Sequence, residues 1–519
     1  MNKRSMVIGL LTLAVCAFAL PAMAQMTSTG IDCSQISALN LLKQDNMRAG
    51  ATLIECGIVQ GGSPFGGSDI EAPAPPNVLV SNRTCTSYTS CTKSENMVWG
   101  NGSTVVVAYN DHDSSQSNTY GGVSYSTDGG ATFTEIEPNP VATGHGQNYG
   151  DPIVVYNKKL GLWFTGDLVT GCGGQGIGLW TSTNGINWSP GACAHNGGSD
   201  DRESFWVDND PTSLGYGRMY ISFNNFAIGG GALQLVYSDN GTTWNGPVTL
   251  NSGFIRDVQI TGAQISPTTA KAALASYNTV FVASMNEGGG GSANRTNVMY
   301  RSTNGGTTWT SVTMGSAFAP VGDRVCSSNS YFYQVNPIWR HMGWGEPAVG
   351  PNGVVHYDYA GRGQGSDNGD VFYQRSTDNG ATWSAPMLLN TDTPGIQYHV
   401  QWMPNLSVNA AGKVTASWYD RRQASTACNG VTDPGCSYWR YARQSADNGK
   451  TWDASDTAIS TSLINEPEQA DGGVVSCYAG DYDYATAQGS NAYVTWTDGR
   501  RNVGGHYVQD VNLAVVPEE

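Results

Sequence analysis

Ser376-Thr-Asp-Asn-Gly-Ala-Thr-Trp383 recurs along the chain with small changes, and its reading decides the fold. Copies begin at Ser126, Ser182, Ser238, Ser302, Ser376 and Ser445, and each closes on Phe133 or a tryptophan. Every copy has the parts of a hairpin turn. Asp or Asn can bond its own turn backbone, Gly supplies a positive φ, and the aromatic returns the chain to a strand. Alternating runs such as Leu233-Gln-Leu-Val-Tyr237 and Val371-Phe-Tyr-Gln-Arg375 precede the turns and predict strands. The copies start 56 to 74 residues apart, too far for a solenoid repeat and suited to one blade of a β-propeller.

The S-x-D-x-G-x-T-W pattern resembles the Asp-box (BNR) repeat of the sialidase-like propellers, from about Asn77 to the C-terminus. The resemblance implies that each box joins the third and fourth strands of a blade, so six boxes define six blades. Such turns occur in hydrolases, lyases and binding proteins alike, so they carry fold more than function. After Trp452 the chain continues for a full repeat without a box. Ser476–Tyr484, Asn491–Trp496 and His506–Val515 read as three more strands, and Asn77–Ser81 as the outer strand that closes the ring. The expected fold is all-β, a seven-bladed β-propeller, with six blades as the alternative if the last segment is an extra sheet.

The remaining organisation follows from composition. Residues 1–24 carry Lys3 and Arg4, an apolar run, and Ala22-Met-Ala24, the pattern of a secretory signal cleaved after Ala24. This predicts a secreted or periplasmic protein with no later membrane span. Residues 25–76 read as a small N-terminal disulfide-linked cap followed by a Gly/Pro linker, and 77–519 as the propeller. Of eleven cysteines, Cys16 leaves with the signal. Close spacing pairs Cys33 with Cys56, Cys85 with Cys91, Cys172 with Cys193 and Cys428 with Cys436, leaving Cys326 with Cys477. The formal charge of −16 argues against nucleic acid as a partner, because phosphate binding needs a basic footprint. An anionic sugar is compatible with it, since a local arginine pair can capture a carboxylate.

Strand alternation sorts the polar residues. The boxes fall on one face of the ring. Carboxylates near the starts of the inner strands, including Glu95, Asp151, Glu203, Asp257, Glu346 and Asp481, line the opposite mouth. They have two uses: bonding backbone N–H groups of the next blade, or proton transfer on a substrate. Asp201-Arg202-Glu203, Arg256-Asp257 and Gly480-Asp-Tyr-Asp483 set cations and a tyrosine beside acids. Glycoside hydrolysis needs two carboxyl groups, or a carboxylate supporting a tyrosine nucleophile as in sialidases. Glu203, Asp257, Asp481 and Tyr482 are therefore the catalytic candidates, and Arg202, Arg256, Asp151, Glu346, His399 and Trp344 the substrate-binding ones. Trp206, Trp344 and Trp402 are candidates for stacking on sugar rings at the same face. The Asp–Arg spacing shared by Trp418–Arg422 and Trp496–Arg500 reads as a repeated structural pair.

The sialidase-like resemblance implies a glycoside hydrolase acting on glycans, without cofactor or metal. One departure bears on the substrate. Where the family has Arg-Ile-Pro in its first blade, this chain reads Glu95-Asn-Met-Val-Trp99, so a three-arginine clamp is not transferable residue by residue. The rival expectations are a non-catalytic carbohydrate- or protein-binding propeller, and a polysaccharide lyase using His145 or His399 with a tyrosine.

Overall fold

A computed structural model describes residues 26–62, 77–81, 85, 87–113, 119–263, 276–335, 338–340, 343–363, 365–428 and 434–518. The expected signal and most of the expected linker lie outside these residues. The described residues form seven four-stranded antiparallel sheets, one three-stranded sheet and one two-stranded ribbon. The innermost strands are Thr92–Asn101, Ile153–Asn157, Asp200–Val207, Ile260–Gly262, Pro347–Val349, Gln401–Val408 and Ala485–Gln488. Each packs against the next, and the last packs against the first, so the strands close a cycle. This all-β arrangement is consistent with a β-propeller. The last sheet takes its outermost strand from the other end of the sequence, where Val78 and Leu79 pair with Leu513 and Asn512.

The box turns show why the repeat is needed. In the copy at Ser376, the buried hydroxyl accepts from the Gly380 N–H at 2.8 Å and donates to Asp378 at 2.7 Å. Asp378 then accepts from both the backbone and the hydroxyl of Thr382, which hold its carboxyl down at about 2. Gly380 has φ of +77°, and a Cβ there would lie 2.5 Å from Phe281, in the second strand of the preceding sheet. Gly185 and Gly241 abut Val106 and Phe164 of their preceding sheets in the same way. The turn is thus a peg between neighbouring sheets as well as a corner of its own.

Two sequence expectations change here. The inner strand of the last sheet is Ala485–Gln488, not 476–484, and its third strand is Asp510–Pro517 rather than 506–515. Residues 476–484 alternate in polarity because they line the channel, but positive φ at Gly480 breaks their strand geometry. All five expected cysteine pairs are disulfides. Together with the absence, among the described residues, of a helix long and apolar enough to cross a membrane, they are consistent with export. The Asp–Arg pairs are also present, Asp420 with Arg422 at 2.5 Å and Asp498 with Arg500 at 2.6 Å.

Residues 26–62 belong to none of these sheets. They carry the helix Met47–Glu55, N-capped by Asn46 through a bond to the Ala49 N–H, and the Cys33–Cys56 disulfide. Ile31, Leu41, Ala49, Leu53 and Val59 give them a hydrophobic cluster of their own.

Removing the Ser376 hydroxyl leaves buried polar groups unpaired, so Ser376→Ala should lower unfolding stability by about 1–3 kcal/mol. Gly380→Ala should cost more than Gly129→Ala. Both glycines have φ near +77°, but a Cβ at Gly129 meets nothing within 4 Å. Chemical denaturation of the three variants checks this; equal losses for the two glycine variants would contradict the peg.

Candidate functional site

The site grows from a repeated backbone irregularity. Glu95, Asp151, Arg202, Asp257 and Met403, each in or just before an inner strand, all have φ between 45° and 60°. Non-glycine residues seldom adopt this region, which costs about 1–2 kcal/mol each, so the surroundings must hold them there. The holding contacts run between sheets. Glu95 accepts from the Asp481 N–H at 2.8 Å, and Asp151 accepts from the Arg202 N–H at 2.9 Å. Register shifts accompany the turned residues in the first, third and sixth sheets.

At this end of the cycle three guanidinium groups are buried together. Arg202 Nη2 lies 3.3 Å from Asp257 and stacks 3.6 Å above the Tyr482 ring. Arg256 Nη1 lies 2.6 Å from Asp201, and its Nη2 contacts Asp45. Arg340 grips Asp481 through Nε and Nη2, at 2.9 and 2.6 Å, and donates to the Asp45 carbonyl at 2.8 Å. Trp344 lies between Arg202 and Arg256, 5.1 and 5.2 Å from their guanidinium carbons. Its indole N–H donates to Glu287 at 2.8 Å.

The acids divide by charge state. Among the described residues, neither oxygen of Glu203 accepts a hydrogen bond from another residue, and the Tyr482 hydroxyl also lacks a partner. Burial, then Asp151 and Asp167, push Glu203 well above the usual carboxylate range. Burial raises Asp257 to about 7 against the pull of Arg202. Asp45 goes the other way. Burial opposes its charge, but Arg256 and Arg202 outweigh burial and hold it below its ordinary value. Its neighbour Asp201 goes up, to about 8, through burial and then Asp45, so the two acids share the charge of Arg256.

The structure brings Asp257, Asp481, Tyr482, Arg202, Arg256 and Trp344 into this region, while Glu203 lies beside Asp151, Asp167 and Asp200, within electrostatic reach of Tyr482. Other expectations need correction. Asp151 spends one oxygen on the Arg202 N–H and is a tie between sheets. Glu346 accepts from the Leu406 and Ala485 N–H groups and lines a cavity of about 250 Å³ at the opposite end of the cycle, with Gly262, Val349, Val408 and Gln488. Trp206 lines that cavity too, because it lies near the far end of its strand. None of Trp206, Trp344 and Trp402 is exposed; Trp402 packs on Trp339, Tyr419 and Tyr438. His399 bonds the Ala424 carbonyl at 3.1 Å and sits 3.9 Å from Asp392, neither of which bonds the arginines among the described residues. His145 is buried against Trp180 and the Leu179 carbonyl, away from any described tyrosine hydroxyl partner.

Arg340 and Asp45 were not anticipated. Arg340 comes from the three-stranded sheet inserted between the fourth and fifth sheets, and Asp45 from the segment outside the repeat. Asp45 stands between Gln44 and Asn46, and Arg340 follows Ile338 and Trp339, so neither position carries a repeat signal. Asp45, Asp151 and Asp201 lie with their oxygens within 4.8 Å of one another, a spacing that could hold a cation. Arg256 already supplies positive charge to two of the three.

No family model matches the sequence, and no curated protein matches it. Solved structures are similar to the chain at low identity. One described as a polysaccharide lyase, an ulvan lyase, is 9% identical with a TM-score of 0.46, over 88% of this chain and 96% of that one. An α-L-arabinanase of Penicillium chrysogenum complexed with arabinobiose is 11% identical with a TM-score of 0.42, over 85% and 99%. A leech intramolecular trans-sialidase is 14% identical with a TM-score of 0.36, over 83% and 68%.

Glu203 gives a pH test. Its neutral form is favoured by folding, so its contribution to stability is complete below the unfolded value near 4.5 and is lost as pH rises toward the folded value. The loss is at most about 1.4 kcal/mol per pH unit for one proton. Glu203→Gln cannot titrate and should lose less stability than the parent between pH 5 and 8, measured by denaturant midpoints. Identical losses would show that Glu203 is ionised throughout.

Proposed function

We propose that the chain is an exported, seven-bladed, Asp-box propeller of the sialidase-like kind, and that it hydrolyses glycosidic bonds at the arginine-bearing end of its channel. One observation carries the reading: the Glu203 carboxyl and the Tyr482 phenol are both buried without a hydrogen-bond partner among the described residues, and Tyr482 stacks under the Arg202 guanidinium. Tyr482 serves as nucleophile, and Asp257, raised to about 7 and so part ionised near neutral pH, takes its proton. Glu203, held neutral by burial, donates a proton to the leaving oxygen. Arg202 and Arg256, with Arg340 beside them, hold a sugar carboxylate; Asp481 positions Arg340. Planar guanidinium forks suit that anion, and their burial strengthens each contact.

The mature chain should be incubated with glycans ending in uronate or sialate, and with neutral glycans as controls. Hydrolysis predicts new saturated reducing ends from the acidic substrates, reduced at least 100-fold in Glu203→Gln and Tyr482→Phe. A product with ultraviolet absorbance would mean elimination instead. Binding without cleavage, in the parent and in Asp45→Ala alike, would make the protein a lectin.

A further inference from the structure

The arginine cluster is occupied by the chain itself. Gln44, Asp45 and Asn46 lead into the helix Met47–Glu55 and lie over the channel end. The Asp45 N–H, the Asn46 N–H and the Asn46 amide all donate to Asp201, at 3.2, 3.1 and 2.6 Å. The Asp45 carboxylate meets Arg256, and its carbonyl meets Arg340. The Lys43 carbonyl accepts from Arg256 at 3.0 Å. Farther out, Gln44 donates to Ser199, and Arg48 to the Gly174 carbonyl. The space left is small. The cavity bordered by Arg202, Trp344, Asp481 and Tyr482 measures about 10 Å³, and the one between residues 44–47 and the rim about 20 Å³. Each holds about one water, whereas ligand sites run to roughly 300–1,000 Å³.

Three features mark this segment as an occupant distinct from the sheets it covers. It has its own disulfide, and five of its apolar side chains cluster together with Val475 packed against them, while Met47 packs on Val474 and Tyr478. Its backbone pairing to the sheets is confined to the neighbourhood of Gly61, which bridges Val475, so side chains make most of the contact. Arg202, Arg256 and Arg340 each keep a carboxylate partner, Asp257, Asp201 and Asp481, that does not belong to it. Departure of Asp45 therefore leaves each arginine with one carboxylate and frees the donors that Arg256 and Arg340 had turned to Asp45.

We propose that residues 26–62 are an intramolecular inhibitor, in which the Asp45 carboxylate stands where the carboxylate of an acidic sugar binds. The inference rests on the arginine-site reading above and adds that the chain as folded is closed. An acidic sugar and the segment then compete for Arg256. The site opens when the segment is displaced, by ligand or by cleavage.

Competition is measurable in the full mature chain without any substitution. D-glucuronate at millimolar excess should raise amide hydrogen exchange in residues 45–55, while D-glucose should leave it unchanged. Titration calorimetry should show Asp45→Ala binding glucuronate at least ten-fold more tightly than the parent, with Asp45→Asn intermediate. Glucuronate bound equally well by parent and variants, with exchange in 45–55 unchanged or slowed, would overturn the inhibitor while leaving the arginine site in place. No glucuronate binding by any of them would overturn both.

Discussion

A guanidinium group removed from water must be matched by anions, because an uncompensated buried charge costs several kcal/mol. Arg202, Arg256 and Arg340 impose that demand at one end of the channel, each at 5% exposure or less. The answering acids come from distant parts of the chain. Asp201 and Asp257 enter from the third and fourth sheets, Asp481 from the approach to the last, and Asp45 from the segment before the first. No short stretch of sequence could assemble such a set. The closed cycle of inner strands does so, and the left-handed residues at those strands aim the groups inward.

The same arrangement separates two kinds of carboxylate. Glu95, Asp151 and Glu346 spend oxygens on backbone N–H groups of other sheets, and these bonds hold the cycle together. Glu203 spends none on a neighbour. A buried polar group left unsatisfied is expensive in a purely structural role, and such groups cluster where chemistry is done. The segment over the channel end adds a second level. Its polar contacts run to Asp201 and Arg256, and its apolar side chains form a small cluster of which Val475 touches one side.

Much of the fold was legible because its determinants are local. A serine, an acid or amide, a glycine and an aromatic within eight residues define each turn, and short cysteine spacings defined most of the disulfides. The closing strand at Val78–Leu79 was legible because the last sheet lacked an outer strand. The inner strand of that sheet was misplaced because the aromatic alternation of Tyr478, Tyr482 and Tyr484 reports packing around the channel rather than strand pairing. The acids and arginines of the third, fourth and last sheets could be gathered from strand counting. Arg340 could not, since it lies in an insertion that breaks the repeat. Asp45 could not either, because its partners are 156 to 295 residues away. Trp206 and Glu346 were assigned to the wrong end because a strand count does not say how far along a strand a side chain sits.

Diffraction from crystals of the mature chain grown with glucuronate tests the central claim most directly. The account predicts density for the sugar carboxylate within hydrogen-bond distance of Arg256, with Asp45 withdrawn from it. Sugar density confined to the cavity beside Glu346, or Asp45 still seated on Arg256 beneath a sugar bound elsewhere, would contradict it.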